Sequence, residues 1–353
     1  MHNVSKIHLG TNIERFQWVD AAKGISMLLV VSLYVGHSVS IELGQLTYLD
    51  WLIAWTKPFR MPEFFLISGL FLGRVIKFPF GQFFDRRVVH FAYFYLLWMI
   101  IHIGLKQAVF AGEPWEALES MAVALVQPYG ILWFIYVLAL FGLAAKLLFQ
   151  TKVPIWLSLP VAYAVSAMSI ETGAFAIDQF LEYFVFFHVG QIFGASIIAF
   201  VEQVGKRQGL AWIGVIVWSL VNTFLVFWPN FTMSPGELSM GYVASIPGLQ
   251  TLSGIAGAIA ICVLARLTVD TKVMKWLAYF GERSLFTFVS FVIVMGIARI
   301  VLEKAGLAGY PNYYVTLLLL ASTAIPVIGY IVISRVRVLG FLIVRPTWVR
   351  LGS

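Results

Sequence analysis

The chain has 353 residues, of which 60% are hydrophobic and only 12% are charged, and its mean hydropathy is +0.88. This composition excludes a soluble globular protein and a disordered chain, and the single cysteine, Cys262, excludes a disulfide scaffold. The net charge of +7 does not indicate nucleic-acid binding, because the basic residues form short groups between apolar segments. The composition therefore predicts a protein whose principal partner is the lipid bilayer.

Ten segments are long and apolar enough to cross a bilayer as helices, which takes about 20 residues each. They are residues 24–41, 48–72, 88–110, 130–149, 154–170, 182–201, 210–228, 243–265, 284–302 and 313–334. No repeat, low-complexity tract or polar linker separates them. We therefore expect an all-α membrane protein with a single domain over residues 1–353. Residues 1–22 and 335–353 would be a cytoplasmic N-terminal segment and a cytoplasmic C-terminal tail.

The positions of lysine and arginine support this count of spans. With a cytoplasmic N-terminus, 19 of the 24 basic residues fall in segments on the cytoplasmic side, as the positive-inside rule requires. Both termini are then cytoplasmic. An alternative is a cleaved signal peptide ending at Ser38-Val39-Ser40, but its basic segment would be unusually long, and its removal would leave the other nine spans with an N-terminus outside.

The first predicted span contains Asp20, Lys23 and His37. Fourteen helical steps bring Lys23 and His37 to within about 40° of each other on one face, roughly 21 Å apart along the axis. Asp20 can pair with Lys23, since they are three residues apart. A neutral histidine in the membrane can act as a general base, although a histidine hydrogen-bonded between helices gives the same pattern. Gly36 beside it would let a ligand or another helix approach.

The second predicted span contains two prolines that bracket a charged residue. Pro58 and Pro62 make a continuous helix unfavourable, so we expect a broken helix around Arg60. Arg60 and Glu63 are three residues apart and could form a buried ion pair. The functional alternative is that Arg60 binds an anionic group.

A basic cluster follows this span and includes Arg74, Arg86 and Arg87. These residues can simply enforce topology, but they would also suit the phosphates of a nucleotide-type donor such as coenzyme A. Four further ionisable residues in or near the third and sixth spans are more typical of packed or interfacial polar groups: His102, Lys106, Glu182 and His188. No phosphate-binding loop or zinc motif occurs, so ATP-driven transport and a bound metal are not expected.

Four motifs resemble those of the acyltransferase 3 family of integral membrane acyltransferases, over nearly the whole chain. They are Arg15-Phe16-Gln17-Trp18-Val19-Asp20-Ala21-Ala22-Lys23-Gly24-Ile25 with Gly36-His37-Ser38, then Met61-Pro62-Glu63-Phe64-Phe65-Leu66-Ile67-Ser68-Gly69, Leu132-Trp133-Phe134 and Gly281-Glu282-Arg283-Ser284-Leu285. The count of ten spans with a cytoplasmic N-terminus is also that of the family. The resemblance implies modification of a bacterial polysaccharide, glycolipid or related glycan, and a location in the cytoplasmic (inner) membrane.

Three positions depart from the family pattern. The family's usual ten residues between the basic residue and the histidine become thirteen between Lys23 and His37. Tyr34 would take the histidine's place at the usual spacing, so an alternative register is open. The family often has histidine before Met-Pro, where this chain has Arg60, and histidine late in the last motif's helix, where it has Phe291.

The resemblance implies transfer of an acetyl or succinyl group from acetyl-CoA or succinyl-CoA, as donor substrate rather than bound cofactor, to a hydroxyl of the acceptor. His37 would be the base or acyl relay, and Arg60, supported by Glu63, would stabilise developing oxyanion charge. The expected donor-binding residues are Lys23, Asp20, Arg74, Arg86 and Arg87, and the expected cavity residues are Tyr34, Ser68 and Trp133.

A different class of function uses the same features. A transporter or flippase for a polar lipid-linked substrate would also contain a broken helix and buried charges near the membrane centre. A purely structural scaffold is disfavoured, because Arg60, Glu63 and His37 are costly to place inside spans.

Overall fold

The computed structural model of the chain describes residues 16–239, 241 and 246–351, and most of these residues are helical. In the first half of the chain the α-helices are α1 (Gln17–Leu43), α2 (Tyr48–Thr56), α3 (Arg60–Leu70), α4 (Leu72–Val75), α5 (Phe80–Phe84), α6 (His90–Ile103), α7 (Pro114–Ala124) and α8 (Trp133–Gln150). Two π-helical segments, Asp85–Val89 and Gly104–Ala111, flank α6.

In the second half the helices are α9 (Ile155–Ala167), α10 (Phe175–Lys206), α11 (Gln208–Phe227), α12 (Leu249–Thr268), α13 (Lys272–Glu282), α14 (Ser284–Lys304) and α15 (Pro311–Ile333). A short antiparallel hairpin, β1 (Thr232–Ser234) and β2 (Glu237–Ser239), lies between α11 and α12. The predicted all-α membrane bundle is confirmed, with this hairpin as a small addition that lies outside the predicted spans.

Eight helical segments of the described chain are long and apolar enough to cross a membrane. They are Gln17–Leu43, Phe80–Gln107, Gly130–Gln150, Phe175–Lys206, Gln208–Phe227, Leu249–Thr268, Ser284–Lys304 and Pro311–Ile333. The other two of the ten predicted spans differ from a full transmembrane helix. Residues 154–170 contain the 13-residue α9, and residues 48–72 contain the separate helices α2 and α3. The chain is an integral multi-pass membrane protein.

The break between α2 and α3 follows from the local sequence. Thr47 caps the start of α2 together with Asp50, whose carboxylate accepts a hydrogen bond from the Thr47 backbone N–H at 2.7 Å. The helix ends at Thr56 because Pro58 has no N–H to donate, and α3 restarts at Arg60. Pro62 is tolerated because it lies in the first turn of α3. This break places Arg60 at a helix N-terminus inside the bundle.

Helix α1 is central, since it packs against α2, α3, α12, α13, α14 and α15. It contacts α13 directly through the backbone, because each of the two helices places a glycine against the backbone of the other. Gly24 lies against the Leu277 carbonyl, and Gly281 lies against the Asp20 carbonyl, so neither position has room for a side chain. The first and last of the four sequence motifs therefore meet in space.

Helices α3 and α10 are joined in the same way. Gly69 lies against the Phe187 carbonyl, Gly190 against the Leu66 carbonyl and Gly194 against the Leu70 carbonyl. Close backbone approach of this kind is a common way for membrane helices to associate, because the lipid gives no hydrophobic driving force. The contact fixes Arg60 and Ser68 of α3 relative to α10.

The two ends of the bundle differ in charge. Lys23, Arg87, Lys146 and Arg266 lie near one end, which we call the basic end. The opposite end, which we call the acidic end, carries Glu42, Asp50, Glu171 and Glu303 among others. The predicted orientation places the basic end in the cytoplasm.

The C-terminal segment folds back onto the basic end. Arg345 donates hydrogen bonds to the Asp85 carboxylate at 2.6 Å and to the Asp85 carbonyl at 2.8 Å, and the Leu351 N–H donates to the same carboxylate at 2.8 Å. The predicted tail 335–353 is thus a docked segment over the residues that the structure describes. Helix α1 begins within the predicted N-terminal segment 1–22, of which residues 1–15 lie outside the described residues.

Replacing Arg345 with leucine is expected to release this segment. The Arg345–Asp85 pair is nearly buried, and removing one partner of such a pair costs on the order of 3–5 kcal/mol. We expect amide hydrogen exchange in residues 337–351 to accelerate at least tenfold, which mass spectrometry would measure. Arg337→Leu is the matched control, because Arg337 is exposed. Unchanged exchange in Arg345→Leu would show that the pair does not hold the segment.

Candidate active site

A cavity of about 450 Å³ opens near the basic end between α1, α3, α8 and the π-helical segment before α6. Its polar lining consists of Asp20, Lys23, Ser68 and Arg87. The rest of the wall is apolar: Phe16, Val19, Ile67, Phe71, Leu72, Phe91, Leu138, Gly142 and Phe187. The fold thus brings together four residues that the sequence analysis predicted for the site, although Asp20 and Arg87 are 67 positions apart in the sequence.

Asp20 and Lys23 are paired, as their spacing predicts. The Lys23 Nζ lies 3.7 Å from Asp20 Oδ1, and the lysine side chain remains about one third exposed. Ser68 donates a hydrogen bond to the Phe64 carbonyl at 2.8 Å, so its oxygen can still accept one. The cavity therefore combines two cationic side chains, one carboxylate and one hydroxyl within an apolar wall.

Arg74 and Arg86 do not line this cavity. Both side chains are exposed, and the Arg86 guanidinium lies over the Phe78 ring at 5.0 Å. Of the two consecutive arginines, only Arg87 faces inward. The predicted donor-binding set thus divides into Asp20, Lys23 and Arg87 at the cavity and two arginines on the surface. The roles predicted for all five residues stay predictions.

Arg60 is almost completely buried, with 6% of its surface exposed. Its Nη1 donates to the Ile53 carbonyl and to the Thr56 hydroxyl, each at 3.3 Å, whereas its Nε has no hydrogen-bond partner among the described residues. The hydroxyl groups of Tyr34 and Tyr183 both interact electrostatically with this guanidinium. Arg60 therefore offers an unused N–H donor inside the protein, where a developing negative charge would be stabilised strongly.

Further aromatic side chains pack on the two tyrosines that interact with this guanidinium. The Trp133 side chain interacts with the Tyr34 hydroxyl, and the rings of Trp133 and Tyr183 lie 5.9 Å apart. Phe65 packs on Tyr183 at 5.3 Å, and Phe291 packs edge-on against Tyr34 at 5.7 Å. We call Tyr34, Arg60, Trp133 and Tyr183 the central cluster. It joins α1, α3, α8 and α10.

Glu63 does not pair with Arg60, so the ion pair, which was one of two alternatives for these residues, is not formed. The Arg60 side chain runs back to the end of α2, whereas Glu63 faces Ser26 of α1 and Cys262 of α12. Glu63 is fully buried, and neither carboxylate oxygen has a hydrogen-bond partner among the described residues. The three-residue spacing alone does not predict this outcome. Both side chains lie in the first turn of α3, whose start is set by Pro58, and from there they extend toward different helices. The catalytic role predicted for Glu63 stays a prediction.

His37 does not share the interior position that its predicted helical face implied. It is exposed near the acidic end of α1, and it lines neither the cavity nor the central cluster. Tyr34 is eleven steps from Lys23 and about 20° from its face, and its ring packs on the buried Phe291 inside the bundle. Gly36 serves close packing with Leu49 and Ile53 of α2 rather than ligand approach. The structure thus brings Tyr34, and not His37, to Arg60.

Other polar residues of the spans have local hydrogen-bond partners. His188 lies 3.0 Å from both Ser158 and Gln191, and His102 lies 2.6 Å from the Val289 carbonyl. These contacts fit the packed roles expected for both histidines. Within residues 16–351, as far as the structure describes them, no group of three or more His, Cys, Asp or Glu could hold a metal ion.

Tyr183 is the member of the central cluster that the sequence did not indicate. The chain has 14 tyrosines, and Tyr183 carries no distinctive spacing or motif. The sequence distinguishes its neighbour Glu182 only as one of several ionisable residues in or near the spans. Its position follows from the glycine contact of α3 with α10, which sequence periodicity alone does not reveal.

Comparison with known proteins agrees with this architecture. An acyltransferase domain (Acyl_transf_3) matches residues 16–331, which include all the cavity and cluster residues. The inner membrane protein YcfT of Escherichia coli (strain K12) is 24% identical over 238 residues, which are 59% of this chain and 64% of that protein. The chain thus matches less than two thirds of that relative's length. No solved structure matches the chain. The resemblance found in the sequence motifs is confirmed, and the chain belongs to the acyltransferase 3 family.

Proposed function

We propose that this membrane acyltransferase transfers an acyl group, acetyl or succinyl, from a cytoplasmic acyl-CoA to a hydroxyl of a glycan, glycolipid or polysaccharide. The main support for the proposal is that the bundle contains two sites along the same helices. A cavity with two cationic side chains lies at the basic end, and a buried arginine with an unused donor lies further along the same helices. Family membership supports acyl transfer, and the chemistry of these sites supports the donor and the hydroxyl acceptor.

The basic-end cavity suits the phosphate-bearing half of coenzyme A. Lys23 and Arg87 supply positive charge, and Arg87 can bind a phosphate through two parallel N–H groups. Asp20 orients Lys23 through their ion pair. The apolar part of the wall suits the pantetheine arm, which is an uncharged chain.

The central cluster suits the reacting thioester. Eleven helical steps separate Lys23 from Tyr34, or about 16 Å along the axis of α1, which an extended pantetheine arm can span. The Arg60 Nε–H would stabilise the negative charge that forms on the acyl oxygen during attack. The Tyr34 hydroxyl would donate to the same oxygen or orient the thioester. Trp133 and Phe291 would keep water from competing with the acceptor.

The proposal is tested by acyl transfer in membrane vesicles supplied with radiolabelled acetyl-CoA or succinyl-CoA. We expect label on a glycan or lipid fraction with wild-type protein and none with an expression-matched Arg60→Met variant. Movement of a polar lipid without any acyl label would instead identify a transporter or flippase. Label that appears equally without the protein would refute the proposal.

Arg87→Met is expected to weaken donor binding selectively. One hydrogen bond to a charged group contributes about 1.5–3 kcal/mol, so the KM for acyl-CoA should rise at least tenfold with kcat within about threefold. Arg86→Met is the matched control, because Arg86 precedes Arg87 but lies on the surface. Steady-state kinetics with varied acyl-CoA would measure both constants. Equal effects of the two substitutions would show that the cavity is not the donor site.

A further inference from the structure

A second, smaller pocket lies on the acidic-end side of the central cluster, where the break between α2 and α3 meets α9, α10 and α12. Its polar lining consists of Lys57, Ser166, Ser169, Glu182, Gln250 and Thr251, and Tyr183 forms part of its inner wall. We call it the acidic-end pocket. Its volume is about 30 Å³, which is room for one water-sized group such as a hydroxyl.

A series of electrostatic interactions connects this pocket to Arg60. Glu182 interacts electrostatically with Lys57 and with Tyr183, and Tyr183 interacts in the same way with the Arg60 guanidinium. Arg60 in turn interacts with Tyr34. Tyr183 thus belongs to both the pocket and the central cluster. A group held in the pocket therefore lies next to Tyr183, which interacts with the arginine that we assign to the acyl oxygen.

The lining is built to bind a hydroxyl group. Ser166 and Thr251 are buried and hydrogen-bond with each other at 3.2 Å, which leaves one hydroxyl hydrogen free to donate. Ser169 lines the pocket from a left-handed backbone conformation, with φ of 46°, a strain that clusters at binding sites. The Gln250 amide adds a donor and an acceptor. The lining also holds one cation, Lys57, and one carboxylate, Glu182.

We infer that the acidic-end pocket binds the reacting hydroxyl of a polyhydroxylated acceptor, with Glu182 accepting its proton. The inference rests on the proposed function and adds the pocket and the base for its hydroxyl acceptor. The acceptor oxygen bonds to the acyl carbon, and the carbon–sulfur bond breaks with its electron pair on the coenzyme A sulfur. The hydroxyl proton passes to the Glu182 carboxylate and then to the thiolate, which leaves as free coenzyme A. No oxidant, metal or further reactant is needed.

The first test compares the wild type, Glu182→Gln and the control Glu171→Gln, whose carboxylate is exposed at the same end. Each purified protein is placed in liposomes with a membrane glycolipid extract and whichever radiolabelled donor, acetyl-CoA or succinyl-CoA, the wild type uses. We expect Glu182→Gln to lower labelling of the glycolipid at least 100-fold and to keep donor binding within twofold. Glu171→Gln should change neither quantity.

The outcomes separate this inference from the proposed function. Glycolipid labelling by Glu182→Gln at the wild-type rate, or a parallel loss of donor binding, would overturn the assignment of Glu182. A wild type that transfers no acyl group would refute the proposed function itself.

A second variant, Ser169→Cys, tests the acidic-end pocket without changing Glu182. Ser169→Cys adds a thiol at the pocket, and the native Cys262 is buried, so a charged membrane-impermeant thiol reagent should modify the new cysteine selectively. We expect modification to stop glycolipid labelling, and reduction of the mixed disulfide to restore it, with donor binding unchanged throughout. Gln45→Cys, exposed in the loop after α1, is the control and should be modified without effect. Full activity of modified Ser169→Cys would overturn the inference.

Discussion

Arg60→Met is expected to lower acyl transfer at least 100-fold, and Tyr34→Phe at least tenfold, whereas His37→Ala should stay within about threefold of the wild type. Removal of one donor to a developing oxyanion costs roughly 10²–10³ in kcat. Arg60 offers such a donor from a buried position, and the Tyr34 hydroxyl lies beside it. His37 is exposed and is not a member of the central cluster.

The measurement is initial-rate transfer from radiolabelled acyl-CoA by purified variants that elute as single species in detergent. Tyr34→Phe is the least disruptive change, because it removes one oxygen atom and keeps the ring contact with Phe291. Arg74→Met controls for loss of a positive charge, since Arg74 is exposed and outside the cavity. A large loss in His37→Ala with full activity in Tyr34→Phe would favour the histidine register and contradict the central cluster.

Gly281→Leu is expected to prevent folding of the bundle. A Cβ at this position would overlap the Asp20 carbonyl, and backbone cannot move aside as a flexible side chain can. Overpacking a core usually costs about 1–3 kcal/mol, and a clash with the backbone of the central helix should exceed that range. The same shift would displace Asp20 and Lys23 from the basic-end cavity.

Size-exclusion chromatography and thermal unfolding in detergent would measure this effect. We expect little monodisperse Gly281→Leu protein, and a lowered Tm for whatever is recovered. Gly296→Leu is the matched control, because Gly296 of α14 is exposed with open space where its Cβ would lie. A Gly281→Leu protein as stable as the control would show that α1 and α13 do not pack as closely as the structure has them.

Much of the fold could be predicted because it depends on local composition. Apolar runs between charged groups locate the eight long helices, and Pro58 with Pro62 locates the break that places Arg60 inside the bundle. The length of α9 could not be predicted in this way, since an apolar run does not specify where a helix stops. The hairpin between α11 and α12 also gave no signal in the apolar pattern.

The candidate site was harder to predict, because its geometry depends on contacts between distant segments. Helical periodicity places both Tyr34 and His37 near the face of Lys23. Only the packing of α1 against its neighbouring helices determines that Tyr34 faces the interior and that His37 is exposed. Spacing suggested an ion pair of Arg60 and Glu63, but the two side chains point to different helices. Arg86 and Arg87 both lie in the π-helical segment Asp85–Val89. The geometry of that segment determines which of the two faces the cavity.

The proposed acyl transfer is tested most directly by its stoichiometry, measured with the purified protein in liposomes. Free coenzyme A and acyl groups gained by a glycolipid or glycan acceptor are measured in the same reaction, with acetyl-CoA and succinyl-CoA as donors. Acyl transfer through the central cluster predicts one coenzyme A released per acyl group transferred, with both products nearly absent for Arg60→Met. Acceptor movement across the membrane without release of coenzyme A from either donor would contradict it.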